Sequence, residues 1–130
     1  MDQNILNGSQ ILSESGNVVN LPVGQNNLDV NNFDFYQLDK NQDYQKQLIS
    51  LIDISDYIFV PSRRVFKNQS TIQFPISQQY YQDLFSNKLN FSLIKTFSFD
   101  NSFLLNSENA EETWSVFDNP TVRIFKKNNL

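Results

Sequence analysis

Three clusters in this 130-residue chain hold the side chains that can act on a ligand. The first is Ser62-Arg63-Arg64, which follows the apolar run Tyr57-Ile58-Phe59-Val60 and its terminator Pro61. A guanidinium presents a fixed fork of donors that matches a phosphate or carboxylate, and a serine hydroxyl adds one more. In an open α/β sheet, ligands bind beyond the carboxyl ends of the strands, which is where these residues fall if the apolar run is a central strand. The same arginines have a plain structural use, pairing with a local acid such as Asp56, Asp83 or Glu112, and the glycines of a phosphate loop are missing.

The second cluster is acidic: Glu108, Glu111 and Glu112, just ahead of Trp114. Paired carboxylates serve as acid and base in glycoside chemistry, and several together can hold a hard cation. Adjacency along the chain does not set the required separation, and no calcium-loop spacing is present. A solvated loop with the acidic bias of a helix start accounts for the same residues. The third cluster is aromatic. Trp114, Tyr80 and Tyr81 can stack on a sugar ring or pack into a core, and the two tyrosines, about 100° apart on a helix, predict one buried ring and one partly exposed. Asp118 precedes Asn119-Pro120 and is placed to close a turn by bonding its own backbone. Triplets at Asn7, Asn68 and Asn90 fit the glycosylation pattern, a match that a chain rich in Asn and Ser makes by chance.

Composition removes most other chemistry. With no Cys and no His there is no thiolate nucleophile, imidazole base, disulfide or Cys/His zinc site. A net charge of -4 argues against a nucleic-acid or anionic-membrane face, because the only basic pairs are Arg63-Arg64 and Lys126-Lys127. No stretch approaches the roughly 20 apolar residues of a membrane span. The expectation is one soluble domain over residues 1–130 with no catalytic residue, cofactor or metal of its own.

The elements that must position these clusters follow from periodicity. Ser9 to Ser13 reads as a short strand followed by a loop from Glu14, Gly24 to Asn32 as a polar connector, and Phe33 to Tyr36 as a short strand. Tyr44, Leu48, Leu51 and Ile52 form one stripe of a helix over Asn41 to Ile54, with Asp39 or Asn41 as its cap. Tyr57 to Val60, rich in β-branched and aromatic residues, predicts a strand covered on both faces. A second helix starts at Ser77, a strand covers Phe91 to Phe97, and Trp114 to Phe117 with Val122 to Phe125 predicts a final hairpin before a frayed tail from Lys126. The predicted fold is α/β: a small Rossmann-like mixed sheet, mainly parallel with a C-terminal antiparallel hairpin, flanked by at least two helices.

The order of these pieces resembles a known family. Leu21-Pro22, Tyr36 with a following Asp and Lys, Asp56 through Phe66, Phe74-Pro75, Tyr80-Tyr81, Leu84-Phe85, Asn90-Phe91 and Glu111 through Pro120 are similar, in this order, to the soluble C-terminal part of prokaryotic membrane proteins of the glycosyltransferase family 39 type, relatives of the polyisoprenyl-phosphate mannosyltransferases. Arg63 stands where that pattern has Asn, Asn90 where it has Gly, Trp114 where it has Phe, and Asn119 where it has His. The resemblance implies a non-catalytic accessory domain on the extracytoplasmic face of the cell membrane, excised from a larger membrane protein. In such proteins catalysis on a lipid-linked sugar belongs to the membrane part. The domain would contact that part, a glycan acceptor or the lipid-linked sugar, with Ser62, Arg64, Glu112 and Asp118 as the positions that match the pattern. The competing expectation is a free-standing domain that binds a glycan or protein directly.

Overall fold

The computed structural model describes residues 5–15, 27–61, 72–97 and 121–129. In chain order these residues form strand β1 (Gln10–Glu14), strand β2 (Asp29–Phe33), a 3-10 turn (Phe35–Gln37), helix α1 (Gln42–Ile54), strand β3 (Tyr57–Val60), helix α2 (Pro75–Phe85), strand β4 (Phe91–Phe97) and strand β5 (Val122–Lys127). The strands make one sheet in the order β2-β1-β3-β5-β4. β1 is parallel to β2 and β3, whereas β5 is antiparallel to β3 and β4.

The described residues are therefore α/β with a mixed sheet and two α-helices, but the sheet is not mainly parallel: among them two ladders are of each kind. The position of β5 makes the difference. Instead of forming an edge hairpin it lies inside the sheet, with β3 on one side and β4 on the other. Its proposed hairpin partner, residues 114–117, lies outside the described residues. Ile124 and Phe125 point to opposite faces and both are buried, as an interior strand requires. The expected frayed tail is also partly ordered. Lys126 and Lys127 belong to β5, Lys127 N–H donates to the Asp56 carbonyl at 2.9 Å, and Asn128 N–H donates to the Asn90 carbonyl at 2.9 Å.

Strand order explains why both helices share a face. The β2-α1-β3 connection passes over β1 and the β3-α2-β4 connection passes over β5, both advancing the same way across the sheet. Right-handed crossovers that advance in one direction leave their helices on one side. Leu48 of α1 and Tyr80, Tyr81 and Leu84 of α2 accordingly share one core with Leu12, Ile58, Val60 and Phe125 of the sheet. On the opposite face Ile5, Ile11, Tyr57, Phe59 and Ile124 form a second core. β3 is buried along its whole length, as its unbroken apolar run predicts.

Two local expectations shift. β2 occupies the Asn-rich residues 29–33, not 33–36, because parallel pairing of Gln10–Glu14 against Asp29–Phe33 supplies hydrogen bonds that outweigh poor strand propensity at a sheet edge. The alternation Phe33-Asp34-Phe35 is broken by Asp34, whose carboxylate accepts from Tyr36 N–H at 3.0 Å and turns the chain into the 3-10 segment. Both phenylalanines are still buried, in edge-to-face contact at 4.8 Å.

The two capping candidates serve different helices. Asn41 caps α1, its side-chain oxygen accepting from Asp43 N–H at 2.9 Å. Asp39 caps α2, which begins at Pro75 and has no side-chain cap from its own N-cap residue Phe74. The Asp39 carboxylate accepts from Ile76 N–H at 2.6 Å, Ser77 N–H at 3.0 Å and the Ser77 hydroxyl at 2.7 Å. A carboxylate at a helix N-terminus satisfies free amides and complements the helix dipole, here across 37 residues of sequence. Asp39→Ala is expected to lower the unfolding free energy by about 1–2 kcal/mol, read from the urea midpoint, with Asp39→Asn losing less because its amide oxygen still accepts. An unchanged midpoint in Asp39→Ala would show that this clasp carries no stability.

Candidate functional site

β1, β3 and β4 point the same way, since β5 is antiparallel to both β3 and β4 and β1 is parallel to β3. Their carboxyl ends, Glu14, Val60 and Phe97, lie along one edge of the sheet, and β5 enters from that edge at Val122. In α/β sheets this is the edge where ligands are held. The chain passes from β3 through Pro61 to Ser62, Arg63 and Arg64, and the connection from β4 to β5 carries Glu112, Trp114 and Asp118. All six of these candidate residues lie outside the described residues, so the described part of the edge is built from other side chains.

The most distinctive of these is Glu14. Read as the start of a loop, it is instead the last residue of β1 and is 5% exposed. The phenol of Tyr81 donates to its carboxylate at 2.5 Å in a buried, charge-assisted hydrogen bond. Tyr80 and Tyr81 touch ring to ring at 5.0 Å, and both rest on Phe35. Neither tyrosine is the partly exposed partner expected from their spacing; both are buried. The N-terminal half of α2 lies over the 3-10 turn as well as the sheet, so two helix faces 100° apart both meet apolar surface.

Arg123 completes this part of the edge. Leu12 pairs with Ile58, so continuing that register by two residues puts Glu14 in a row with Val60, whose partner on β5 is Arg123. The row Glu14-Val60-Arg123 crosses three strands, and at a strand spacing near 4.8 Å its ends are about 10 Å apart. Arg123 shares the helix-covered face with Glu14, because its neighbour Ile124 belongs to the opposite core. An acid and a base thus stand on either side of Val60, both at the edge where the proposed site residues leave the sheet.

Electrostatics keep both phenols neutral, and Tyr81 is the one that donates to Glu14. Burial, and then the nearby Glu14 charge, raise the Tyr80 and Tyr81 phenol pKa values well above normal. Phenols held in the neutral form donate hydrogen bonds; they are not poised as nucleophiles or bases. The geometry suits a brace that holds a buried carboxylate at a sheet edge. Among the described residues no group of three or more Asp and Glu is placed to hold a metal ion.

The other acids considered as arginine partners already have local tasks. The Asp56 carboxylate accepts from Gln10 N–H at 2.9 Å and so fastens the start of β1 to that of β3. Asp83 accepts from the Gln79 side chain at 2.8 Å on the surface of α2. Of the glycosylation-type triplets, the one at Asn7 has Ser9 buried, with its hydroxyl bonded to the Leu6 carbonyl at 2.6 Å. The one at Asn90 has a buried Phe91 and a Ser92 hydroxyl bonded to Asn128 at 2.5 Å. Asn68 lies outside the described residues. No described helix is long and apolar enough to cross a membrane.

Sequence reading missed Glu14 because Glu14-Ser15-Gly16-Asn17 has the composition of a loop. The available signal was the strand period: Leu12 faces the core, so Glu14 two residues on must face it too. Comparison with family models, with curated proteins and with solved structures finds no match to this chain.

Proposed function

We propose that this chain is a non-catalytic extracytoplasmic accessory domain of a membrane glycosyltransferase-like protein, contacting a glycan acceptor, a lipid-linked sugar or the membrane-embedded part of the parent. The observation that carries the reading is the ordered likeness from Leu21-Pro22 to Asn119-Pro120, whose strongest piece is Asp56 to Arg64. In support, that piece begins with β3 at the centre of the sheet, and the pieces that carry Arg64 and Asp118 adjoin, along the chain, the end of β3 and the start of β5 at one sheet edge. The described acids Glu14, Asp39 and Asp56 are engaged in holding elements together, which suits a domain that positions rather than reacts. The same reading takes β1, β2 and β3 with their crossover helix as the Rossmann-like half of the fold.

On this reading Ser62, Arg63 and Arg64 meet a phosphate or carboxylate, Trp114 offers a sugar-stacking face, and Glu112 and Asp118 order the neighbouring connection. The test is the genomic reading frame around the chain. A multispan hydrophobic region fused upstream of Met1 is the expected result; a frame closed by its own start and stop would overturn the proposal in favour of a free-standing binding domain.

A further inference from the structure

We infer that Asn7 is a site of spontaneous covalent modification, by deamidation through a cyclic imide. Asn7-Gly8 is the one Asn-Gly pair in the sequence. It forms the centre of a turn closed by Ser9 N–H donating to the Leu6 carbonyl at 3.3 Å. Gly8 has φ +80° and Asn7 is not among the residues with positive φ, which makes this a type II turn. Asn7 is exposed, and a Cβ built on Gly8 would meet nothing within 4 Å. Gly8 is itself exposed and has no side chain to shield its amide.

The reaction requires only these two residues and water. The Gly8 backbone nitrogen, giving up its proton, attacks the Asn7 side-chain carbonyl carbon. The new C–N bond closes a five-membered succinimide while the Cγ–Nδ2 bond breaks, and ammonia leaves with the proton. One water then opens the ring at either carbonyl, giving aspartate or isoaspartate. Overall, one water is consumed and one ammonia released. Reaching the imide requires the turn to open, because the extended ψ of the first central residue of a type II turn holds the side-chain carbon away from the following nitrogen.

The two products differ in their effect on the fold. The Asn7 side-chain oxygen accepts from Asn27 N–H at 3.0 Å, tying the entry of β1 to the entry of β2. Aspartate keeps that acceptor. Isoaspartate adds a methylene to the main chain inside a turn that carries two hydrogen bonds to the Leu6 carbonyl, from Ser9 N–H and the Ser9 hydroxyl. The ordinary product is silent and the iso product loosens the start of the sheet.

The experiment incubates the intact chain at mildly alkaline pH and follows each asparagine by peptide mass spectrometry, with enzymatic methylation of isoaspartate as a second readout. The expected result is a mass gain of about 1 Da at residue 7 ahead of every other described asparagine, with methyl incorporation at the same peptide. Asn7→Gln, which closes a six-membered ring far more slowly, should abolish both signals. Asn7→Asp should keep wild-type stability and take up methyl groups more slowly than the parent, because a carboxyl group closes the imide less readily than an amide. Equal or slower conversion at residue 7 than at the other described asparagines would overturn the inference. So would methyl incorporation that persists unchanged in Asn7→Gln.

Discussion

Phe59→Ala is expected to lower the unfolding free energy by about 3–5 kcal/mol, the largest effect of any single change considered for this chain. Phe59 is 1% exposed and lies on the sheet face away from both helices, packed with Ile5, Ile11, Tyr57 and Ile124. If that face were merely a lightly covered side of a two-layer fold, the loss would be a fraction of this amount. The cost of truncation scales with the cavity left behind, and a ring held by β1, β3 and β5 in one rigid sheet leaves little room to collapse. The check is urea unfolding monitored by far-UV circular dichroism. Because a domain of this size has only about 5–15 kcal/mol of stability, Phe59→Leu supplies a folded comparison expected to lose roughly 1 kcal/mol. Equal stability of Phe59→Ala and the parent would mean that the second core carries no weight.

Tyr81→Phe is expected to cost about 2–3 kcal/mol, although it removes a single oxygen. The change deletes the donor at 2.5 Å from a buried carboxylate, and a buried charge deprived of a hydrogen bond retains its desolvation penalty. In a Glu14→Gln background the same change should cost less, since a neutral amide is cheaper to leave underbonded. A double-mutant cycle over the two positions measures that coupling. Additive losses would show that the phenol and the carboxylate act independently.

The same pair sets a pH dependence. Folding raises the pKa of Tyr80 and Tyr81, first by burial and then by the Glu14 charge. Between the unfolded value near 10 and the higher folded value, the folded chain holds protons that the unfolded chain has lost. Stability from these groups is therefore fully present below about pH 10 and is lost as the pH rises through the folded values, at up to about 1.4 kcal/mol per pH unit for each phenol. Urea midpoints should hold level to about pH 9 and then fall, with the alkaline slope shallower in Tyr81→Phe. A midpoint independent of pH through 11 would refute the assignment of both phenols as buried and neutral.

The elements legible in the sequence are those with strong local signals. The helix from Gln42 to Ile54 shows its Asn41 cap and its Tyr44-Leu48-Leu51 stripe, and the strand Tyr57–Val60 shows an unbroken apolar run closed by Pro61. Both signals arise within a few residues and need no partner to be read. β2 was not legible, because Asp29, Asn31 and Asn32 have poor intrinsic strand preference and are held extended by pairing with β1. The start of α2 was misplaced by two residues because its cap comes from Asp39, a distance that no local pattern can span.

The chemistry divides in the same way. Composition alone excluded thiol and imidazole chemistry, since the chain has neither residue, and it directed attention to arginine, carboxylate and aromatic side chains. Residue types are local facts, and they survive any folding. Only the tertiary structure brought Glu14 against Tyr81, 67 positions away, and placed Arg123 in the same row of the sheet across Val60. It also inserted β5 between β3 and β4, which is why a chain of alternating strands and helices carries a mixed sheet. Strand neighbours are chosen by packing and hydrogen bonding between distant segments, and that choice decides which of the many carboxylates and phenols in this sequence meet.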